Sequence, residues 1–114
     1  LDNGVFEMTY PIRKIYETYA TASKYVTAEN NTDGVELVFD KGSRKLVEWY
    51  VELGGAGTIK IQVSRDKVEW LDTVRQRTLS DAGYWNDWDF IGFNYVKVVV
   101  PTTGIKVKIV ISAI

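Results

Sequence analysis

The chain has 114 residues, enough for one domain that folds without metals or disulfides, and its 25% charged and 46% hydrophobic residues exclude a disordered polymer. With 14 Lys plus Arg against 15 Asp plus Glu the formal charge is -1, and no basic stripe interrupts it, which argues against electrostatic capture of nucleic acid or an anionic membrane. The absence of Cys and His removes thiol nucleophiles, imidazole bases, Cys/His zinc sites and the Ser-His-Asp arrangement, and no apolar run is long enough for membrane insertion.

In chain order, residues 5–10 read as a strand stopped by Pro11, and residues 12–22 as extended or irregular. Val35, Leu37 and Phe39 alternate with Glu36 and Val38, and Asp40, Lys41 and Gly42 turn the chain. In residues 46–53, Val47, Trp49, Val51 and Leu53 share one face and Glu48 and Glu52 the other. Gly54, Gly55, Ala56 and Gly57 then read as a hairpin turn into a strand with Ile59, Ile61 and Val63 inward. The glycine run is not a phosphate loop, because no lysine or helix start follows it.

An Asx-type turn is expected at Asp66, folding Trp70 back onto the sheet. Residues 80–94 read as an aromatic and acidic loop. Residues 95–100, with Val96, Val98 and Val100 inward, are expected to form a hairpin through Pro101–Gly104 with residues 105–114, where Ile105, Val107, Ile109, Ile111 and Ala113 share a face. Turn signals at intervals of roughly 8 to 12 residues point to an all-β fold: an antiparallel β-sandwich, jelly-roll-like, of about eight strands. No repeat, low-complexity tract or linker breaks it, so residues 1–114 are expected to form a single domain. No signal peptide is visible, and a start at Leu1 suggests processing or a fragment.

Three segments carry a family resemblance: W-Y-V-E-L-G (49–54), I-K-I-Q-V-S-R-D-K-V-E-W (59–70) and Y-V-K-V (95–98). Together they resemble the scaffold motifs of the discoidin-like, galactose-binding-like β-sandwiches, over roughly residues 40–112. The resemblance implies a non-catalytic sandwich that binds glycans, lipid head groups or proteins through its loops. It assigns no ligand residue, because those loops vary among members, and fold alone is not function.

Within residues 84–93, Tyr84, Trp85, Asp87, Trp88 and Asp89 are candidate ligand-binding residues. Aromatic rings stack on sugar C–H faces while carboxylates bond the hydroxyls, and Trp85 is expected to be the most exposed of them. The competing expectation is that Trp88, Phe90 and Phe93 plug the end of the sandwich. Asp81, Asp87 and Asp89, or Asp66, Glu69 and Asp72, are weighed as a calcium site, but neither set matches a known loop, and no metal or other cofactor is expected. A hydrolase built on a carboxylate pair is a formal alternative only, since 15 acidic residues supply some pair by chance.

Val38, Leu46, Tyr50, Val99, Val110 and Ile114 lie opposite the core-facing sets, more apolar residues than a wet sheet face needs. Either the N-terminal segment covers these faces within the domain or, the preferred expectation, Val99, Val110 and Ile114 make subunit contacts, with the apolar C-terminal strand exchanged or donated between neighbours. The preferred expectation is a non-catalytic structural subunit of a virion or extracellular filament, partnered by copies of itself or a larger assembly. The alternative is a carbohydrate- or surface-binding module using the 84–93 segment. Either role places it outside the cell or on a virion surface.

Overall fold

The computed structural model describes residues 20–114. The strand expected over residues 5–10, and most of the irregular segment over 12–22, lie outside them. Eight strands follow in order: β1 (Ala20–Val26), β2 (Val35–Asp40), β3 (Leu46–Leu53), β4 (Gly57–Ser64), β5 (Leu71–Leu79), β6 (Gly83–Phe90), β7 (Tyr95–Val100) and β8 (Val107–Ala113). One turn of 3-10 helix, Ala28–Asn30, links β1 to β2. The strands form two four-stranded antiparallel sheets, ordered β1-β8-β3-β6 and β2-β7-β4-β5. Only the β4–β5 connection stays within one sheet. Every other connection crosses the sandwich, which is the double Greek-key winding of a jelly roll.

The all-β sandwich expected from the period-two pattern is therefore present. The expected hairpins are not. Gly54–Gly57 carries the chain from β3 over to the opposite sheet, and Pro101–Gly104 does the same between β7 and β8. Alternation tells which side chains point inward, but not whether a turn folds flat or over the top. The second crossover is pinned by Asn31, a buried side chain whose Nδ2 donates to the carbonyls of Thr102 (3.0 Å) and Ile105 (2.9 Å), while Gly104 N–H donates back to its carbonyl (2.8 Å). Gly34 meets the same loop at φ +85, where an added Cβ would lie 2.8 Å from the Val100 carbonyl oxygen, so a side chain is excluded on both counts.

The core is the inward row of each central strand: Val47, Trp49, Val51 and Leu53 from β3, and Val107, Ile109, Ile111 and Ala113 from β8. Facing them are Ile59, Ile61 and Val63 from β4 with Val96, Val98 and Val100 from β7. Two further expectations are corrected here. The C-terminal strand is not an unpaired edge, because β8 lies between β1 and β3 with full ladders on both sides. Val110 is accordingly half-buried on the outer face of its sheet and Val99 half-buried on the other, while Ile114 exchanges backbone bonds with Leu46. Residues 83–90 are a strand rather than part of a loop: β6 pairs with β3 from Leu46↔Phe90 to Leu53↔Gly83.

Among the described residues the edges are β1, β2, β5 and β6, and those of β2, β5 and β6 are blunted. On β5, Thr73, Val74 and Arg75 together oppose Ile61 alone, a bulge that throws Val74 outward at 94% exposure and turns Arg75 back toward β6. Between β1 and β2, Lys24 Nζ donates to the Glu36 carbonyl at 3.1 Å.

Candidate functional site

Strand pairing decides where each side chain of β6 goes. Val47, Trp49 and Val51 point into the core, so their partners Asp89, Asp87 and Trp85 share the inward row, and Tyr84, Asn86, Trp88 and Phe90 take the outer one. Trp85 is consequently 7% exposed and packs edge-to-face on Trp49 at 5.4 Å, whereas Tyr84, Trp88 and Phe90 are 64%, 54% and 68% exposed. The expectation that Trp85 is the exposed ligand residue is overturned. A recognition loop built on its ring goes with it, because a strand sends adjacent residues to opposite faces. The plug at the end of the sandwich is not formed by Trp88 or Phe90 either; Phe93 alone of the three packs on the core.

Asp87 and Asp89 lie where the inward row of an edge strand meets solvent. There they clasp Arg75 from the β5 bulge: Arg75 Nε donates to Asp89 Oδ2 at 3.0 Å, and Nη1 lies 3.5 Å from Asp87 Oδ2. Hydrogen bonding to Asp89, then its charge, holds the guanidinium more firmly protonated than usual. The other carboxylate oxygens accept the N–H groups of Trp88 and Phe90, both at 2.8 Å. These two aspartates therefore close the side of the sandwich and cap the edge of β6. They are spatially separated from the outer face, where Tyr84 and Trp88 stand.

That outer face is ordered by its register into rows across the sheet. Thr21, Ser112, Glu48 and Trp88 form one; Ser23, Val110, Tyr50 and Asn86 the next; Tyr25, Lys108, Glu52 and Tyr84 the third. Leu46 and Phe90 extend the β3–β6 ladder beyond the first. Tyr50 stacks on Tyr84 at 5.6 Å and 27°, and Trp88 meets Phe90 edge-on at 5.8 Å. Beside the third row lies a groove of about 560 Å³, walled by Tyr25 and Tyr84 and lined by Glu52, Lys106 and Lys108. Sequence reasoning found Tyr84 and Trp88 here. It put Tyr50 on the outer face as a surplus apolar residue and weighed Phe90 as a plug without joining either to this site, missed Tyr25, and took Glu48 and Glu52 for an ordinary wet face. Residues 84–90 mix aromatic and polar side chains on both faces, so it is the register against β3 that separates these sets.

On the opposite sheet the turn after β4 forms as expected. Asp66 Oδ1 accepts the N–H groups of Val68 (2.9 Å) and Glu69 (3.0 Å), and Ser64 Oγ those of Asp66 and Lys67. Trp70 folds back over the sheet with Lys97 Nζ 4.5 Å from its ring, and Arg65 and Lys67 cover Phe93 and Tyr95 in the same way. Asp66 thus serves the backbone and Asp72 binds Gln62 at 2.8 Å. Among the described residues no three carboxylates converge as a cation site would require.

No family model and no curated protein matches the chain. Solved structures do. The PBSX exported protein XepA is 14% identical with a TM-score of 0.59 over 83% of this chain, which spans only 36% of that one. The K3 cleaved adhesin domain of Lys-gingipain from Porphyromonas gingivalis w83 is 10% identical at TM-score 0.54, covering 82% of this chain and 72% of its own. The Drosophila NLP-core is 14% identical at 0.50, covering 82% and 97%. At such identities the likeness is one of fold, the β-sandwich, and the narrower discoidin-like resemblance has no family match behind it.

Proposed function

We propose that this chain is a non-catalytic recognition domain that binds carbohydrate on the outer face of the β1-β8-β3-β6 sheet. The observation that carries the reading is the row of exposed rings on β6, Tyr84, Trp88 and Phe90, continued inward by Tyr50 and across the sheet by Tyr25. Large rings held in water on a rigid sheet, with carboxylate and amide groups between them, suit a ligand that has apolar faces and hydroxyl edges. A site on strands is also preorganised, so little ordering entropy opposes binding. The inward aspartates of β6 are engaged by Arg75 and by backbone N–H groups, away from the outer face. Likeness to an exported protein and to an adhesin domain agrees with a role outside the cell or on a virion surface.

The test is retention on immobilised polysaccharides by affinity electrophoresis. Trp88→Ala and Tyr84→Ala should each weaken binding roughly tenfold, about 1.4 kcal/mol, while the far-UV spectrum stays unchanged. If neither variant alters retention, the face is not the site.

A second reading, a structural subunit that associates with copies of itself or a larger assembly, rests on the same apolar face. It is supported by Val110 and Leu46, half-buried between the rings, and by Val99 on the opposite sheet. It ranks second because β8 is central and the described edges of β2, β5 and β6 are blunted, so strand exchange is not what this geometry favours.

A further inference from the structure

The β3–β6 ladder has a pattern that narrows the ligand. In three successive rows one ring stands directly opposite one hydrogen-bonding side chain: Tyr84 opposite Glu52, Tyr50 opposite Asn86, Trp88 opposite Glu48. The ring changes strand at each step, from β6 to β3 and back. Rows two residues apart are separated by about 6.8 Å, and Tyr84 to Phe90 covers about 20 Å along the strand. All three polar partners offer acceptors, with Lys108 beside Glu52 in the third row and Lys106 in the adjoining groove as donors. Glu48 and Glu52 make no ion pair among the described residues, and one N–H of the Asn86 amide goes to the Trp49 carbonyl at 2.8 Å, leaving its second N–H and its Oδ1 for a ligand.

We infer that this ladder binds an extended, uncharged polysaccharide along the strands, successive sugar rings lying on Tyr84, Tyr50 and Trp88 and their hydroxyls donating to Glu52, Asn86 and Glu48. The inference rests on the carbohydrate reading above and adds the ligand's form and charge. Acceptors at each step favour a ligand rich in donors, so a hydroxylated chain fits; Lys106 and Lys108 offset Glu52 at the Tyr84 end, but an anionic unit on Trp88 would meet Glu48 with no lysine in its row. Alternation of the rings between strands fits a chain whose units turn over from one to the next, presenting opposite sides to the sheet. The ladder runs from one end of the sheet to the other, so a chain is held in its middle rather than by a terminal residue.

Soluble linear glucans, mannans, xylans and galactans, with their monomer-to-hexamer series and a carboxymethylated form of each polymer, provide the probes for calorimetry on the intact chain. At least one neutral series should gain affinity with each added ring until the ladder is filled and then level off. Its carboxymethylated polymer should bind at least tenfold more weakly. Glu48→Gln, which keeps size and shape, should lower tetramer affinity several-fold while leaving the disaccharide nearly unchanged. Equal affinity for monomer and polymer, or preference for the anionic form, overturns the inference and leaves carbohydrate recognition standing. Failure of every glycan to bind overturns both.

Discussion

At the scale of single residues, the two tryptophans three positions apart on β6 have opposite roles, and stability separates them. Trp85 fills space between the sheets against Trp49, so Trp85→Ala should cost about 3–5 kcal/mol of unfolding free energy, measured by denaturant titration. Trp88→Ala removes a ring that is already half in water and should leave the midpoint almost where it was. Equal losses in the two variants would mean that Trp88 holds the fold rather than a ligand. Asp66 supplies a pH dependence. The N–H groups of Glu69 and then Val68 hold its carboxyl below the usual aspartate value, so the folded state favours the ionised form. Its contribution is complete above the ordinary aspartate pKa of about 3.9 and is lost as pH falls through the depressed folded value. Trp70 fluorescence should therefore change in that acidic window as the turn loosens, and Asp66→Ala should show the loosened signal already at neutral pH.

Secondary-structure elements differ in how plainly the sequence declares them. β2, β3, β4, β7 and β8 were legible because each has an apolar inward row against a more polar outer one, as in Val107, Ile109 and Ile111. β5 was not, because an edge strand with a bulge places Thr73 and Arg75 where a core residue would stand. β1 hides behind small residues, Ala20 and Ala22, that pack on the core without announcing it. β6 was misjudged because its inward row ends in Asp87 and Asp89, so both faces look polar and aromatic at once. Those aspartates are an edge device. They occupy the Trp88 and Phe90 N–H groups of β6 and bind Arg75, interrupting the ladder a neighbour would extend. Replacing both by valine keeps the strand propensity and removes the caps. The variant should then associate with rising concentration in light scattering, and adding Trp88→Ala should not reverse it. A double variant that stays monomeric would show that the edge needs no such protection.

For the whole molecule the contest is between a ligand and a second copy on the same face. Four strands at about 4.8 Å spacing by about 20 Å of strand make a platform of roughly 400 Å². A stable protein interface needs about 800 Å² from each partner, so the face alone supplies about half. A formal charge of -1 provides little repulsion, and weak contact at high concentration is therefore expected even from a platform of this size. These opposing terms predict a monomer in dilute solution, with a modest rise in weight-average mass on concentration. Burial of rings rather than charges would drive that rise, so salt should strengthen it and Trp88→Ala should abolish it. A neutral polysaccharide that occupies the ladder should abolish it too, since both compete for one surface. A fixed oligomer that persists on dilution and ignores both the ligand and Trp88→Ala would instead place the contact elsewhere, with the outer face of the β2-β7-β4-β5 sheet around Val99 and Val38 the next surface to alter.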